Sequence, residues 1–148
     1  MNHRFLLDTS VVSIFGPGRR EASDDLVAWV RQQNERLFLS SITIIEITQG
    51  IAKLARAEQH QRADRFTRWR DDLAAQFGER QLPVDEAVAK VGGRMSDEAF
   101  GSGMHPGFLD VLIAATARVH DLIVLTRNVR HFGTLGVAVV DPLERLPD

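Results

Sequence analysis

The sequence predicts an α/β protein, with a central, mostly parallel sheet of four to five strands and helices on both of its faces. Three observations carry that expectation. Four short apolar runs are unbroken rather than alternating, which is the pattern of strands covered on both sides. Segments of helical periodicity separate them, and such alternation belongs to layered α/β proteins. Parallel crossovers are right-handed, which distributes the helices over both faces. With 148 residues and no linker, repeat or low-complexity tract, one domain spanning 1–148 is expected, long enough to bury a core.

The elements follow in order. RFLLD, Arg4–Asp8, is the first strand. The loop FGPGRREAS, with Gly16, Pro17 and Gly18, is expected to be mobile. SDDLVAWVRQQN opens with a Ser23 cap and two acids in its first turn, and Leu26, Trp29 and Val30 share a helical face. LFLS, Leu37–Ser40, is the second strand. SITIIEITQGIAKLARAE starts a helix at Ser41 or Thr43, with Ile44, Ile47, Ile51 and Leu54 on one side. QHQRADRFTRWRDDLAAQFG carries Phe66, Trp69, Leu73 and Phe77 at three- and four-residue steps and stops at Gly78. Those aromatics read as helix-packing core. RQLPV, Arg80–Val84, is a weaker strand, which Pro83 confines to an edge or a strand end because it has no N–H to donate. VDEAVAKVGGRMSDEAFGSG is helical, and its Gly92–Gly93 pair is either a weak point or a close-packing spot. FGSGMHPG is expected to be a second flexible connection. GFLDVLIAATARVH is a strongly apolar helix running into the strand LIVLT, Leu122–Thr126; a short helix then precedes the last strand, VAVVD, Val137–Asp141.

Composition narrows the chemistry. Apolar residues make up 44% and charged residues 26%, ordinary for a globular protein. The absence of cysteine excludes disulfides, thiol nucleophiles and thiolate metal sites. Asp8 interrupts any signal-peptide core, and no apolar run approaches the roughly 20 residues that span a bilayer, so a cytoplasmic protein with no membrane role is expected. A net charge of −2 excludes a generally basic nucleic-acid coat. Charge is uneven, however: between Lys53 and Arg70 six cations stand against two acids. That run is a solvated helix face or, more sharply, a phosphate-contacting surface beside an acidic site.

Three acids stand out. Asp8 ends a buried strand, where a carboxylate is costly unless paired, hydrogen-bonded or bound to metal. Glu46 sits within ITIIEIT and Asp110 within GFLDVLIAATA, each inside an otherwise apolar opening stretch of helix. Taken singly, each has a plain account, since acids near helix N-termini are favoured by capping and by the helix dipole. Ligands of open parallel sheets bind beyond the carboxyl ends of the strands, and all three acids can face that edge. Together they favour one shared site. Clustered carboxylates repel, a hard divalent cation compensates them, and an all-oxygen set points to Mg²⁺ or Mn²⁺ rather than Zn²⁺.

LLDTSVV, SSITIIEITQGI, DVLIAATARVHDLIVLTRNVRHF and GVAVVDP together resemble the PIN-domain ribonucleases and, more narrowly, the VapC-type toxins of bacterial toxin–antitoxin pairs. The resemblance runs nearly end to end, and the block acid–x–x–IAATA followed by TRN is its specific part. It implies a three-layer α/β/α fold, metal-dependent endoribonuclease activity that leaves a 5′-phosphate and a 3′-hydroxyl, a homodimer, and inhibition by a cognate VapB-type antitoxin. Carried over by position, Asp8, Glu46 and Asp110 match the family's three most regular acids. Where members often have a fourth acid, this chain has Asn128, and three residues on, His131. Asn128 can offer a carbonyl oxygen to a metal or a water; His131 reads as a surface or loop residue. Asp8 and Asp110 are expected to hold the main ion with Asn128 assisting, and Glu46 to ligate a second ion or orient the attacking water. Thr9 or Ser10, and Thr126, are implied hydroxyl contacts, with helix caps an equal account. Arg127 and Arg130, like the Lys53–Arg70 arm, are candidates to position an RNA backbone.

The missing fourth acid leaves one alternative within the family, a catalytically weak module that binds RNA or a partner without cutting. Two further rivals, an aspartyl-phosphate phosphatase and a phospho-acceptor receiver domain, each require a second acid near Asp8 that is absent: the phosphatase position holds Ser10, and the receiver's acidic pair has only Asp8.

Overall fold

Strand β1 (Phe5–Leu7) is wholly buried and forms the middle of the sheet. In the computed structural model, which describes residues 2–19 and 22–148, it pairs in parallel with β2 (Leu37–Ser40) on one side and with β4 (Ile123–Leu125) on the other. Arg20 and Glu21, within the loop expected to be mobile, lie outside the described residues. Strand β3 (Gln81–Leu82) flanks β2 and β5 (Val139–Val140) flanks β4, giving five parallel strands in the order β3-β2-β1-β4-β5. Pro83 thus lies just past an edge strand, as its missing N–H requires.

The strand register sorts side chains onto two faces. Leu6, level with Phe38 and Val124, faces a cluster built with α5 (Glu86–Gly101), α6 (Phe108–His120) and Phe132 of the short α7 (Val129–Gly133). Phe5, Leu7, Leu37, Leu39 and Leu125 face the other cluster, with Val11 and Val12 of α1 (Thr9–Val12), Trp29 of α2 (Asp24–Gln32), Ile47 of α3 (Ser41–Arg56) and Phe77 of α4 (His60–Phe77). Helices cover both faces of the sheet, the layered arrangement read from the sequence.

Local chemistry explains the boundaries. The Ser23 hydroxyl accepts the Leu26 N–H at 3.1 Å and caps α2, and Ser40 caps α3 through the Ile42 N–H at 3.0 Å. Helix α4 ends at Gly78, which adopts φ +51°. Gly92 is the close-packing spot: a Cβ there would sit 3.0 Å from Leu112 Cδ2, so its absence lets α5 lie against α6. The connection after α5 is tied back by the N–H groups of Ser102, Gly103 and Met104, which bond to Glu98, Phe100 and Ala99. Helix α1, continued by a 3₁₀ turn over Ser13–Phe15, goes beyond the sequence reading. All four side chains of TSVV are β-branched or carry a hydroxyl, so propensity argues against helix there; burial of Val11 and Val12 under the sheet decides it.

Candidate active site

Chain order creates a crevice. From β1 the chain moves outward to β2 and β3, then returns to the other side of β1 for β4 and β5. Beyond the carboxyl ends of β1 and β4, where the direction of travel reverses, crossovers diverge and leave room for a ligand. Asp8 and Thr126 are the first residues past those two ends, and the Asp8 N–H bonds to the Leu125 carbonyl at 2.9 Å, carrying the ladder right to the edge.

Asp8 is 4% exposed. It occupies the N-cap position of α1, yet its side chain makes no capping bond. Its Oδ2 instead accepts the Ser10 hydroxyl at 2.7 Å and the Thr126 hydroxyl at 2.9 Å. Each hydroxyl is itself fixed from behind by a backbone donor at the start of α7: the Arg127 N–H reaches Ser10 Oγ at 3.1 Å, and the Asn128 N–H reaches Thr126 Oγ1 at 2.9 Å. A hydroxyl that accepts an N–H has its own proton free for the carboxylate, so two relays hold Oδ2. Oδ1 takes no hydrogen bond among the described residues and is not sealed from solvent. The capping account of Asp8 therefore fails, and Ser10 and Thr126 act as orienting groups for it.

Glu46 projects from the second turn of α3. Its Oε1 accepts the Thr9 hydroxyl at 2.8 Å, and the same Thr9 oxygen lies 3.0 Å from that of the fully buried Thr43. The sequence offers Thr43 only as a possible helix start; the helix begins at Ser41, and Thr43, one turn ahead of Glu46, serves the site instead. Burial raises the Glu46 carboxyl above its ordinary value near 4.5; the Thr9 hydroxyl opposes this, and the charges of Asp8 and Asp110 add to it.

Asp110 sits in the first turn of α6, where Gly107 holds the N-cap position without a side-chain cap. Burial raises its carboxyl above 3.8 and the Asp8 charge adds to the rise, while His131, both as a charge and as a hydrogen-bond partner, opposes it. His131 Nε2 lies 3.0 Å from Asp110 Oδ2. His131, read from the sequence as a surface or loop residue, is partly exposed and lies in α7, which turns its ring onto the acid site. Asn128 is less involved. It is exposed at the N-terminus of α7, and its side chain bonds to none of the three acids, so its link to the site is the backbone N–H.

The structure thus brings Asp8, Glu46 and Asp110 into one electrostatic unit. Among the described residues no three acids and histidines are drawn together tightly enough to form a ready-made metal cage. The donor set still fits a hard divalent cation. It offers oxygen alone, each of the other two carboxylates feels Asp8 as an unwanted like charge, and Asp8 keeps one oxygen open. An ion such as Mg²⁺, which keeps several waters and takes only one or two carboxylates directly, does not need a tight cage.

Comparison with known proteins finds relatives over nearly the whole chain. The model of the PIN domain matches residues 5–135. The chain is 34% identical over 142 residues to a protein named Toxin FitB from Neisseria gonorrhoeae, covering 93% of this chain and 96% of that one. It is 30% identical over 140 residues to VapC ribonuclease Y4jK from Sinorhizobium fredii, covering 94% and 97%. Among solved structures, that of FitAcB from Neisseria gonorrhoeae superposes with a TM-score of 0.78 at 34% identity, covering 93% of this chain and 97% of that one.

Proposed function

Since the chain belongs to the PIN-domain family and its relatives are VapC and FitB toxins, we propose that it is a metal-dependent endoribonuclease, the toxin of a toxin–antitoxin pair. The observation that carries the reading is the trio Asp8, Glu46 and Asp110 at the switch-point edge of the sheet, where the charge of Asp8 raises both Glu46 and Asp110 and that of Asp110 raises Glu46.

In this reading Asp8 and Asp110 hold Mg²⁺ or Mn²⁺, and Glu46 serves a second ion or orients the attacking water. A divalent cation there supplies a more acidic water and offsets charge on the scissile phosphate. The chain's own residues do the positioning. Ser10 and Thr126 fix the plane of the Asp8 carboxylate, so its open oxygen is presented in one orientation. Thr9 does the same for Glu46, and His131 for Asp110. Asn128 is left to assist through water. Arg127 and Arg130 border this edge and place the RNA backbone, leaving a 5′-phosphate and a 3′-hydroxyl after in-line hydrolysis. Phosphate contacts of this kind position a substrate without reading its sequence.

A cognate antitoxin of VapB type is the proposed inhibitor, in keeping with a solved neighbour at 28% identity, the toxin-antitoxin complex from Klebsiella pneumoniae. Homodimerisation is proposed as well; the large exposed side chains Phe108, Phe100 and Ile45 are suited to it. No helix among the described residues is long and apolar enough to cross a membrane. One domain, 1–148, and a cytoplasmic site of action complete the reading.

The test is cleavage of RNA by the purified chain with Mg²⁺. Asp8→Asn and Asp110→Asn are expected to fold but to cut at least about 100-fold more slowly, since even partners behind a metal ligand cost 10- to 100-fold. EDTA is expected to abolish cleavage. Full activity in either variant removes that residue from the site, and binding of RNA without any cleavage favours the non-cutting module.

A further inference from the structure

A groove of about 350 Å³ opens beside the acid site, between α3, α4 and the turn at Gly16–Gly18. Glu46 and Thr9 form its inner end, so it is continuous with the acids. Aliphatic side chains of α3, Ile47, Ile51 and Leu54, line it together with two further kinds of group. Phe66 and Trp69 of α4, half-buried and packed edge to face at 6.0 Å, present aromatic surface. Arg62 and Arg65 from the same helix stand at the rim. Arg62 lies 6.0 Å from the Phe66 ring centroid, and Arg65 is exposed and forms no ion pair with any described residue. Gly50 of α3 also lines the groove, and a Cβ built on it would meet nothing within 4 Å.

We propose that this groove is a nucleobase subsite for single-stranded RNA, holding a nucleotide next to the one whose phosphate lies at the acids. The proposal rests on the nuclease reading for its substrate class, but the groove has its own chemistry. Aromatic faces beside arginines are the pattern by which proteins hold unpaired bases: rings stack the base and cations follow the backbone. The part of the basic run from Lys53 to Arg70 that reaches this groove thereby acquires a use that a merely solvated helix face lacks. An apolar side chain of a protein partner would fill the floor of the groove. It would leave the arginine rim unused, which is why the base is favoured.

The experiment uses a five-nucleotide unstructured RNA carrying one 2-aminopurine, moved through each position in turn. It is titrated against the full chain in EDTA so that no cleavage occurs. With the unaltered protein, one position is expected to lose fluorescence on binding as the base stacks. Gly50→Leu removes a glycine from a helix interior, which favours the helix, and fills the groove. It is expected to weaken binding roughly tenfold or more and to abolish that quenching, since one stacked base contributes about that much. An abasic nucleotide at the same position is expected to cost the unaltered protein a similar factor and to bind Gly50→Leu no worse still. Arg65→Gln is expected to weaken binding and flatten its salt dependence while the quenching stays.

Unchanged affinity and quenching in Gly50→Leu overturn the subsite. So does the finding that this variant loses only its inhibition by the antitoxin, which assigns the groove to a protein side chain. Because binding is read without metal, failure of the unaltered chain to cut RNA in Mg²⁺ counts against the nuclease reading and leaves this result standing.

Discussion

At the residue scale, the acids were legible and their supports were not. Asp8, Glu46 and Asp110 each stand as one charged residue in an apolar stretch, a contrast visible in a single sequence. The hydroxyls that hold them are ordinary Ser and Thr, and a hydroxyl beside a helix start reads equally well as a cap. Only the fold shows Ser10 and Thr126 converging on the same oxygen from positions 116 residues apart. His131 was hidden for the same reason: α7 is a five-residue helix, too short for periodicity to fix which side its ring takes. The strained charge has a consequence for pH. Glu46 and Asp110 hold their protons more tightly in the fold than in an open chain. Between their ordinary and raised values the folded form carries more protons than the unfolded one, so metal-free stability falls as pH rises through that window. Above that window the penalty is fully present. Glu46→Gln, whose side-chain carbonyl can still accept from Thr9, is therefore expected to melt higher than the parent near pH 7 in EDTA. The gain, a few degrees at most for groups this accessible to solvent, should vanish below about pH 4. Asp110→Asn gains less, because it also weakens the tie to His131. Thermal melts across that pH range check both, and a Gln variant that melts lower at neutral pH contradicts the like-charge account.

At the element scale, long periodic segments and unbroken apolar runs were readable, while short ones were not. Helices α3 to α6 repeat their apolar positions over several turns, so the pattern outweighs any single residue. β5 is two residues long, but VAVV carries enough β-branched content to be seen. Helix α1 has four residues and a sequence that prefers extended backbone, and tertiary burial overrules it. The Gly92–Gly93 pair could be read only as an ambiguity, because a glycine that admits a neighbour and a glycine that merely loosens a helix are the same letter. The structure separates them. Gly92 is buried against Leu112 and Ala115, whereas a Cβ at Gly93 meets nothing within 4 Å. Gly93→Ala is expected to stabilise the chain by about 0.5–1 kcal/mol through helix propensity. Gly92→Val is expected to destabilise it by about 1–3 kcal/mol, because its branches press into Leu112 and part α5 from α6. Urea denaturation of the two variants decides the matter, and equal effects would show that the helices do not meet there. Since α6 carries Asp110, Gly92→Val should also slow cleavage, which the Gly93 variant should not do.

At the scale of the whole molecule, the site exists only because the sheet order gathers distant pieces of chain. β1 delivers Asp8, the turn out of β2 launches α3 with Glu46, and α6, lying over the opposite face, brings Asp110 to the same edge. The strand order could not be read from the sequence, since each apolar run is compatible with several neighbours; what could be read was that ligands gather at carboxyl ends. An assembled site of this kind binds its cation in the folded state alone, and any ligand confined to that state stabilises the molecule by RT ln(1 + [L]/Kd). At a tenfold excess over Kd this is about 1.4 kcal/mol, or roughly 3–5 °C for a chain of this size. Magnesium or manganese chloride is therefore expected to raise the melting temperature of the unaltered protein, and the rise should shrink as pH falls and protons compete with the ion for Glu46 and Asp110. Sodium chloride at matched ionic strength screens the repulsion among the acids without bridging the carboxylates, so it should give a smaller rise. Asp8→Asn and Asp110→Asn should lose most of the divalent increment, since each removes both a ligand and part of the repulsion the ion relieves. An equal response to sodium and magnesium, or an undiminished response in both variants, would mean that the three carboxylates share a field but not an ion.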